Sequence, residues 1–176
     1  MVLFAPPAPH GVDSSAALSP ARLLQIVRTL AEERERWLTL VEHRADERWF
    51  ARVAVEADHD AWLIGWDSFQ GVELHDHGGA NGVLYVVDGV LQETSTTRTR
   101  ATRLREQTLA TGTARAFGPD HVHRVVNPSA QPATSLHVYS PPLVTMDFYR
   151  PGPANELALV HTEAALAPRS GPSELR

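Results

Sequence analysis

Gly71-Val72-Glu73-Leu74-His75-Asp76-His77-Gly78-Gly79 is the stretch around which the chain is read. Its two histidines stand at i and i+2. On a β-strand those positions point to the same face. Two imidazoles on one face of a strand make half of a metal site, and the rest of the chain must supply the other half.

The chain has 176 residues, the length of one domain with a substantial core. With 43% hydrophobic residues it has the composition of a globular protein, and its net charge of −5 argues against nucleic acid as a partner without deciding function. There is no cysteine, which excludes disulfides, thiolate ligands and a cysteine nucleophile. Any metal must be held by His, Asp or Glu. Lysine is also absent, so all 16 basic residues are arginine. Schiff-base chemistry and a phosphate-loop lysine are excluded, and an anion would be gripped by a guanidinium. Met1 to Pro20 reads as a Pro/Ala/Ser-rich tail rather than a signal peptide. No stretch is long enough to span a membrane, and the cytoplasm is the expected compartment.

Ser19-Pro20 predicts a helix start. Leu23, Ile26, Val27, Leu30, Trp37, Leu38 and Val41 then recur at helical spacing, which predicts an amphipathic region, broken or continuous, packed on the main body. From Arg48 the texture becomes strand-like: Trp49–Val55, Ala61–Trp66, Asn81–Val87, Val90–Thr97, Thr99–Ala110, Gly112–Phe117, His123–Val126 and Ala133–Tyr139. Asp58-His59-Asp60 and Gly118-Pro119-Asp120 read as turns, and Asp88-Gly89 as a hairpin. Many short strands between turns predict a mainly β fold, a small antiparallel barrel of jelly-roll type with an N-terminal helical region. The expected organisation is a flexible tail over 1–18, a helical region over 19–47, the barrel over 48–145 and a C-terminal extension over 146–176. The extension has one helical or extended piece around Glu156–Ala165.

His121-Val122-His123 lies downstream, and in a small barrel its strand can face His75 and His77 across the lumen. Three histidines in matching strands point to a metal site. Here the chain resembles a known superfamily. His75-x-His77, Gly89 and His123-x-x-x-Asn127 resemble the two cupin motifs. The glutamate ligand of the usual pattern falls at Gly82, which leaves a site of three histidines without a carboxylate. That arrangement is similar to the thiol dioxygenases, cysteine dioxygenase among them. Trp66, His123-Arg124-Val125-Val126-Asn127 and Ser135-Leu136-His137-Val138-Tyr139-Ser140-Pro141-Pro142 extend the resemblance, which covers roughly Arg48 to Pro142.

The resemblance implies a cupin barrel with Fe(II) held by His75, His77 and His123. Three neutral imidazoles leave the metal's dipositive charge uncompensated, with room for an anionic thiolate and for dioxygen. Zn(II) on the same ligands would instead make a hydrolytic site. Ser135, His137 and Tyr139, at i, i+2 and i+4, share one face of a strand and can form a hydrogen-bond relay. The resemblance makes them the catalytic strand, with Tyr139 also touching substrate. It makes Arg52 the anchor for the substrate carboxylate. Related mercaptopropionate-type enzymes have glutamine there, so arginine points to cysteine. Phe50 replaces a tyrosine that assists the anchor in animal enzymes. Gly82 replaces the cysteine that cross-links to the tyrosine in those enzymes, so Tyr139 is unmodified here, as in bacterial members. His121 competes with His123 as third ligand; Asn127, at the cupin spacing, favours His123. His10, His43, His59 and His161 read as surface residues, and Arg98, Arg100, Arg103 and Arg105 as a solvated basic face.

The implied activity is oxygenation of L-cysteine by both atoms of O2 to cysteine sulfinate. The expected partners are a small thiol and O2, with neither nucleic acid nor membrane. The sequence leaves open a monomer or a weak dimer. Another small thiol as substrate, such as 3-mercaptopropionate or a specialised-metabolism thiol, and a non-catalytic metal-binding cupin are the alternatives.

Overall fold

A computed structural model describes residues 17–98, 104–152 and 156–165. Helix α1 (Pro20–Glu32) begins at its expected cap: the Ser19 side chain accepts from the Arg22 amide, with proline in the first turn. Its stripe of Leu23, Val27 and Leu30 is buried. Two 3-10 turns follow, Arg34–Arg36 and Leu38–Leu40. Between them Trp37 is buried and donates its indole N–H to the Leu30 carbonyl at 2.9 Å. This break turns Leu38, apolar by sequence, half out to solvent. No helix among the described residues is long and apolar enough to cross a membrane.

The strands are β1 (Trp49–Val55), β2 (Asp60–Trp66), β3 (Gly71–His75), β4 (Asn81–Asp88), β5 (Val90–Thr97), β6 (Arg105–Ala110), β7 (Ala114–Phe117), β8 (His121–Val126), β9 (Ala133–Ser140), β10 (Thr145–Pro151) and β11 (Leu157–Ala164). They form two antiparallel sheets, ordered β1-β2-β9-β4-β7 and β11-β10-β3-β8-β5-β6. The sheets pack face to face through Trp66, Leu84, Val86 and Ala133 from the first and Leu91, Leu109 and Val125 from the second. Helix α1 covers the outer face of the five-stranded sheet, against Ala61, Leu63, Val83, Leu136 and Val138. Each such aliphatic side chain contributes roughly 1.5–3 kcal/mol on burial, before chain entropy is set against it. Strand β9 is therefore buried along its whole length. Leu136 and Val138 lie under α1, and by the two-residue period Ser135, His137 and Tyr139 face the other sheet.

Three local expectations are corrected. Asp88-Gly89 is not a hairpin. Strand β4 pairs with β7 and β9, β5 pairs with β6 and β8, and the turn carries the chain from one sheet to the other. Gly89 has φ +78°, and a Cβ there would stand 2.7 Å from the Ala133 Cβ, so the corner accepts only glycine. Asp60 belongs to β2 and is fully buried rather than part of a turn. Strand β3 ends at His75, so His77 lies just past it. Strands β10 and β11, in the expected C-terminal extension, belong to the sheet: β10 pairs with β3, Phe148 against His75, and β11 completes the sheet edge. The expected tail, up to residue 16, and Arg100 and Arg103 of the expected basic face lie outside the described residues.

Candidate metal centre

His75 and His123 are cross-strand partners on β3 and β8. Their ring centroids are 4.8 Å apart, and each lies 5.0 Å from the ring of His77. One nitrogen from each of the three falls within 4.8 Å of the others. His77 is held past the strand end by Asp76, which is fully buried. The Asp76 carboxylate accepts from the Gly78 amide at 3.0 Å and from the Tyr149 hydroxyl at 2.8 Å, and it pairs with Arg98 at 3.3 Å. Asp76 thus fastens the turn that presents His77.

The donor set suits a cation. His75 Nδ1 lies 2.7 Å from the Glu73 carbonyl, and His123 Nδ1 lies 2.8 Å from Glu93 Oε1. Both partners only accept, so each Nδ1 carries the proton and each Nε2 lone pair is free. His77 Nε2 is buried with no hydrogen-bond partner. Burial, reinforced by the neighbouring imidazoles, holds His75 and His77 well below the usual histidine range. Burial also lowers His123. All three are therefore neutral, the form that ligates.

Glu93, His121 and His123 make a second compact group. Their polar atoms are already spent on one another: Glu93 Oε1 also accepts from His121 Nε2 at 3.0 Å, and Glu93 Oε2 from Arg115 Nε at 3.1 Å. The His121 ring stacks on Phe117, which also stacks on His77.

The Ser135, His137 and Tyr139 side chains meet as a chain. Trp66 donates to Ser135 Oγ at 2.9 Å, Ser135 Oγ lies 2.8 Å from His137 Nε2, and His137 Nδ1 lies 3.1 Å from the Tyr139 hydroxyl. The Ser135 proton has one acceptor among the described residues, His137 Nε2. His137 is fully buried, which pushes it down to about 3 and keeps it neutral. Its Nδ1–H then donates to the Tyr139 oxygen, leaving the phenol proton free to point elsewhere. Burial, and then the charge of Asp60, raise Tyr139 above its ordinary value, so it stays protonated. The Tyr139 ring packs 4.8 Å from His77.

A cavity of about 100 Å³ is lined by His75, His123, His137, Tyr139, Arg48, Phe50, Trp62, Trp66, Phe148 and Glu163, among others, with His77 just outside its lining. That is well under the roughly 300–1,000 Å³ of sites for larger ligands. Arg52, the arginine that the sequence offers as anchor, is not among the lining residues. Its guanidinium lies over Trp62, with Nε 3.7 Å from buried Asp60. Arg48, four residues earlier and immediately ahead of β1, does line the cavity. It lies over Trp66, its Nε is buried without a partner, and burial lowers its pKa.

A description of cysteine dioxygenase type I matches residues 16–151. The chain belongs to this family. Membership makes it a dioxygenase-type protein with a histidine site able to hold a metal. No protein of curated function matches it in sequence. Among solved structures, a protein of Thermus thermophilus is similar at 24% identity and TM-score 0.50, over 60% of this chain and 93% of that one. An RmlC-like cupin of Desulfovibrio desulfuricans is similar at 12% identity and TM-score 0.50, over 58% and 91%. A Bacillus halodurans protein is similar at 18% identity and TM-score 0.50, over 65% and 79%. These likenesses place the family member's fold among the cupins.

Sequence reasoning missed Arg48, Glu93 and the β10–β11 wall of the cavity. Glu93 did leave a signal, as a carboxylate between Leu91 and Ser95 on the inward face of β5. Arg48 is in phase with Phe50 and Arg52, but nothing in the sequence ranks the two arginines.

Proposed function

We propose that this protein is an Fe(II)-dependent thiol dioxygenase that converts L-cysteine and O2 to cysteine sulfinate. The observation that carries the reading is one small cavity lined by His75, His123, Arg48 and Tyr139, with His77 completing the cluster of neutral histidines beside it. His75, His77 and His123 are the residues to hold the metal. Imidazole ligation suits Fe(II), which when bound supplies the activation of dioxygen that side chains lack.

The chain's own residues do the rest. Arg48 grips the substrate carboxylate, because it lines the cavity without an ion pair among the described residues, while Arg52 lies outside the cavity and faces Asp60. Tyr139 donates its hydroxyl proton into the cavity, since His137 already donates to its oxygen. Ser135 and Trp66 hold His137 in the tautomer this requires. The aromatic wall of Trp62, Trp66 and Phe148 keeps water from the reacting sulfur. With no cysteine in the chain, Tyr139 acts without a cross-link.

The test is anaerobic loading with Fe(II), then air and L-cysteine, with the product mass read for two added oxygen atoms. If cysteine, 3-mercaptopropionate and cysteamine all remain unoxidised, the protein is a non-catalytic metal-binding cupin. If only 3-mercaptopropionate gains oxygen, the cysteine assignment is replaced.

A further inference from the structure

The ligand set has no carboxylate, yet a buried one stands directly behind it. Glu93 on β5 is fully buried. Its Oε1 accepts from His123 Nδ1 at 2.8 Å and from His121 Nε2 at 3.0 Å, and its Oε2 accepts from Arg115 Nε at 3.1 Å. None of Glu93, His121 and Arg115 lines the cavity. The group's route to the substrate therefore runs through His123.

We propose that Glu93 is a positioning residue that sets the oxidation-state preference of the bound metal through His123, and that Arg115 opposes it from the other carboxylate oxygen. A carboxylate accepting from the remote N–H of a ligand imidazole fixes its orientation and raises its basicity. Negative charge passed to the metal this way favours the more oxidised ion. Arg115 withdraws part of that charge. Its side chain is 37% exposed while Glu93 is 1% exposed, so solvent screens the arginine more and its effect is the smaller. His121 completes the arrangement by holding Oε1 from a second side, its ring fixed against Phe117. A site carboxylate-free in its ligands thus receives a carboxylate's influence at one remove, and a surface arginine meters it.

This inference rests on His75, His77 and His123 being the metal ligands. The test compares wild type, Glu93→Gln and Arg115→Gln, each loaded anaerobically with Fe(II). The midpoint potential of the Fe(III)/Fe(II) couple is read by mediated titration of the ferric EPR signal. The Fe(II) dissociation constant is read by competition with a coloured chelator. Glu93→Gln should raise the potential and weaken Fe(II) binding by about 10–100-fold. Arg115→Gln should lower the potential by a smaller amount. A purely structural role for either residue would not produce shifts of opposite sign. Shifts of the same sign, or none, overturn the proposal while leaving the ligand reading intact. Failure of wild type to bind Fe(II) overturns both. If Glu93→Gln does not fold, Arg115→Gln decides alone: a potential not lowered overturns the proposal.

Discussion

Replacing Arg48 by glutamine removes the positive charge of the cavity and keeps most of its shape. In the free protein Glu163, in the same cavity, loses an electrostatic neighbour, but among the described residues no ion pair to Arg48 is broken and its Nε is unbonded. What disappears is the stack over Trp66, worth about 0.5–2 kcal/mol, offset by relief of a desolvated cation. The melting temperature should therefore stay near wild type. With substrate the loss is a charge-assisted hydrogen-bond pair, roughly 1.5–3 kcal/mol. At about 1.4 kcal/mol per tenfold, kcat/KM for cysteine should fall roughly 10–150-fold. The assay is O2 uptake by the Fe(II)-loaded protein with cysteine, 3-mercaptopropionate and cysteamine. The first two carry a carboxylate and should lose rate; cysteamine has none and should not. Arg52→Gln should do the reverse. It leaves fully buried Asp60 without its arginine, lowering stability while the ranking of the three thiols is unchanged. The reasoning is refuted if Arg52→Gln penalises the carboxylate thiols selectively and Arg48→Gln does not.

Tyr139→Phe keeps the ring against His77 and removes only the hydroxyl. Metal content should be unchanged and kcat should fall about 10²–10⁴-fold, the usual worth of a positioned proton donor, as read by steady-state O2 uptake. Gly82→Ala places a Cβ against the Phe117 ring and 3.1 Å from Tyr139 Cδ1. Overpacking of this kind should cost about 1–3 kcal/mol in urea unfolding, and a variant as stable as wild type would mean that Phe117 moves freely. The metal-free protein should lose stability as pH falls from 7.5 to 5.5. His137 is held at about 3 by burial, whereas in the unfolded chain it titrates near the ordinary histidine value. Over that window the unfolded state binds the extra proton, so stability drops on acidification, by about 1.4 kcal/mol from His137 alone. His75 and His77, lowered by the same burial, add in the same direction. Urea midpoints at the two pH values measure the effect, and a midpoint that rises at pH 5.5 would contradict it.

Much of this molecule is written in local pattern. Ser19-Pro20 opens α1 because a serine side chain and a proline satisfy a helix start by themselves. The shared faces of His75 and His77, of His121 and His123, and of Ser135, His137 and Tyr139 are legible in short spacings, since a strand turns every second residue to one face whatever lies across from it. Gly82 stands where the cupin pattern carries a glutamate, and the packing of Phe117 and Tyr139 around it accounts for the glycine.

Other features depended on pairings between distant segments. Asp88-Gly89 specifies a sharp reversal in either case; whether the strands after it pair with each other or join different sheets depends on β7, β8 and β9. Strands β10 and β11 became part of the cavity wall only because β10 found the edge of β3. Arg48 and Arg52 are the same residue type at the same phase of one extended segment, so composition and period cannot separate them. The tertiary structure does: Arg48 lines the cavity, whereas Arg52 lies outside it against Asp60 of the neighbouring strand. The His75-Asp76-His77 stretch shows the same division. Its sequence alone specified two ligand-capable imidazoles. The third imidazole, the Glu93 carboxylate behind it and the Asp76 contacts that aim His77 come from β8, β5 and β10, because directed lone pairs and compensated charges depend on distance in space and not on separation along the chain.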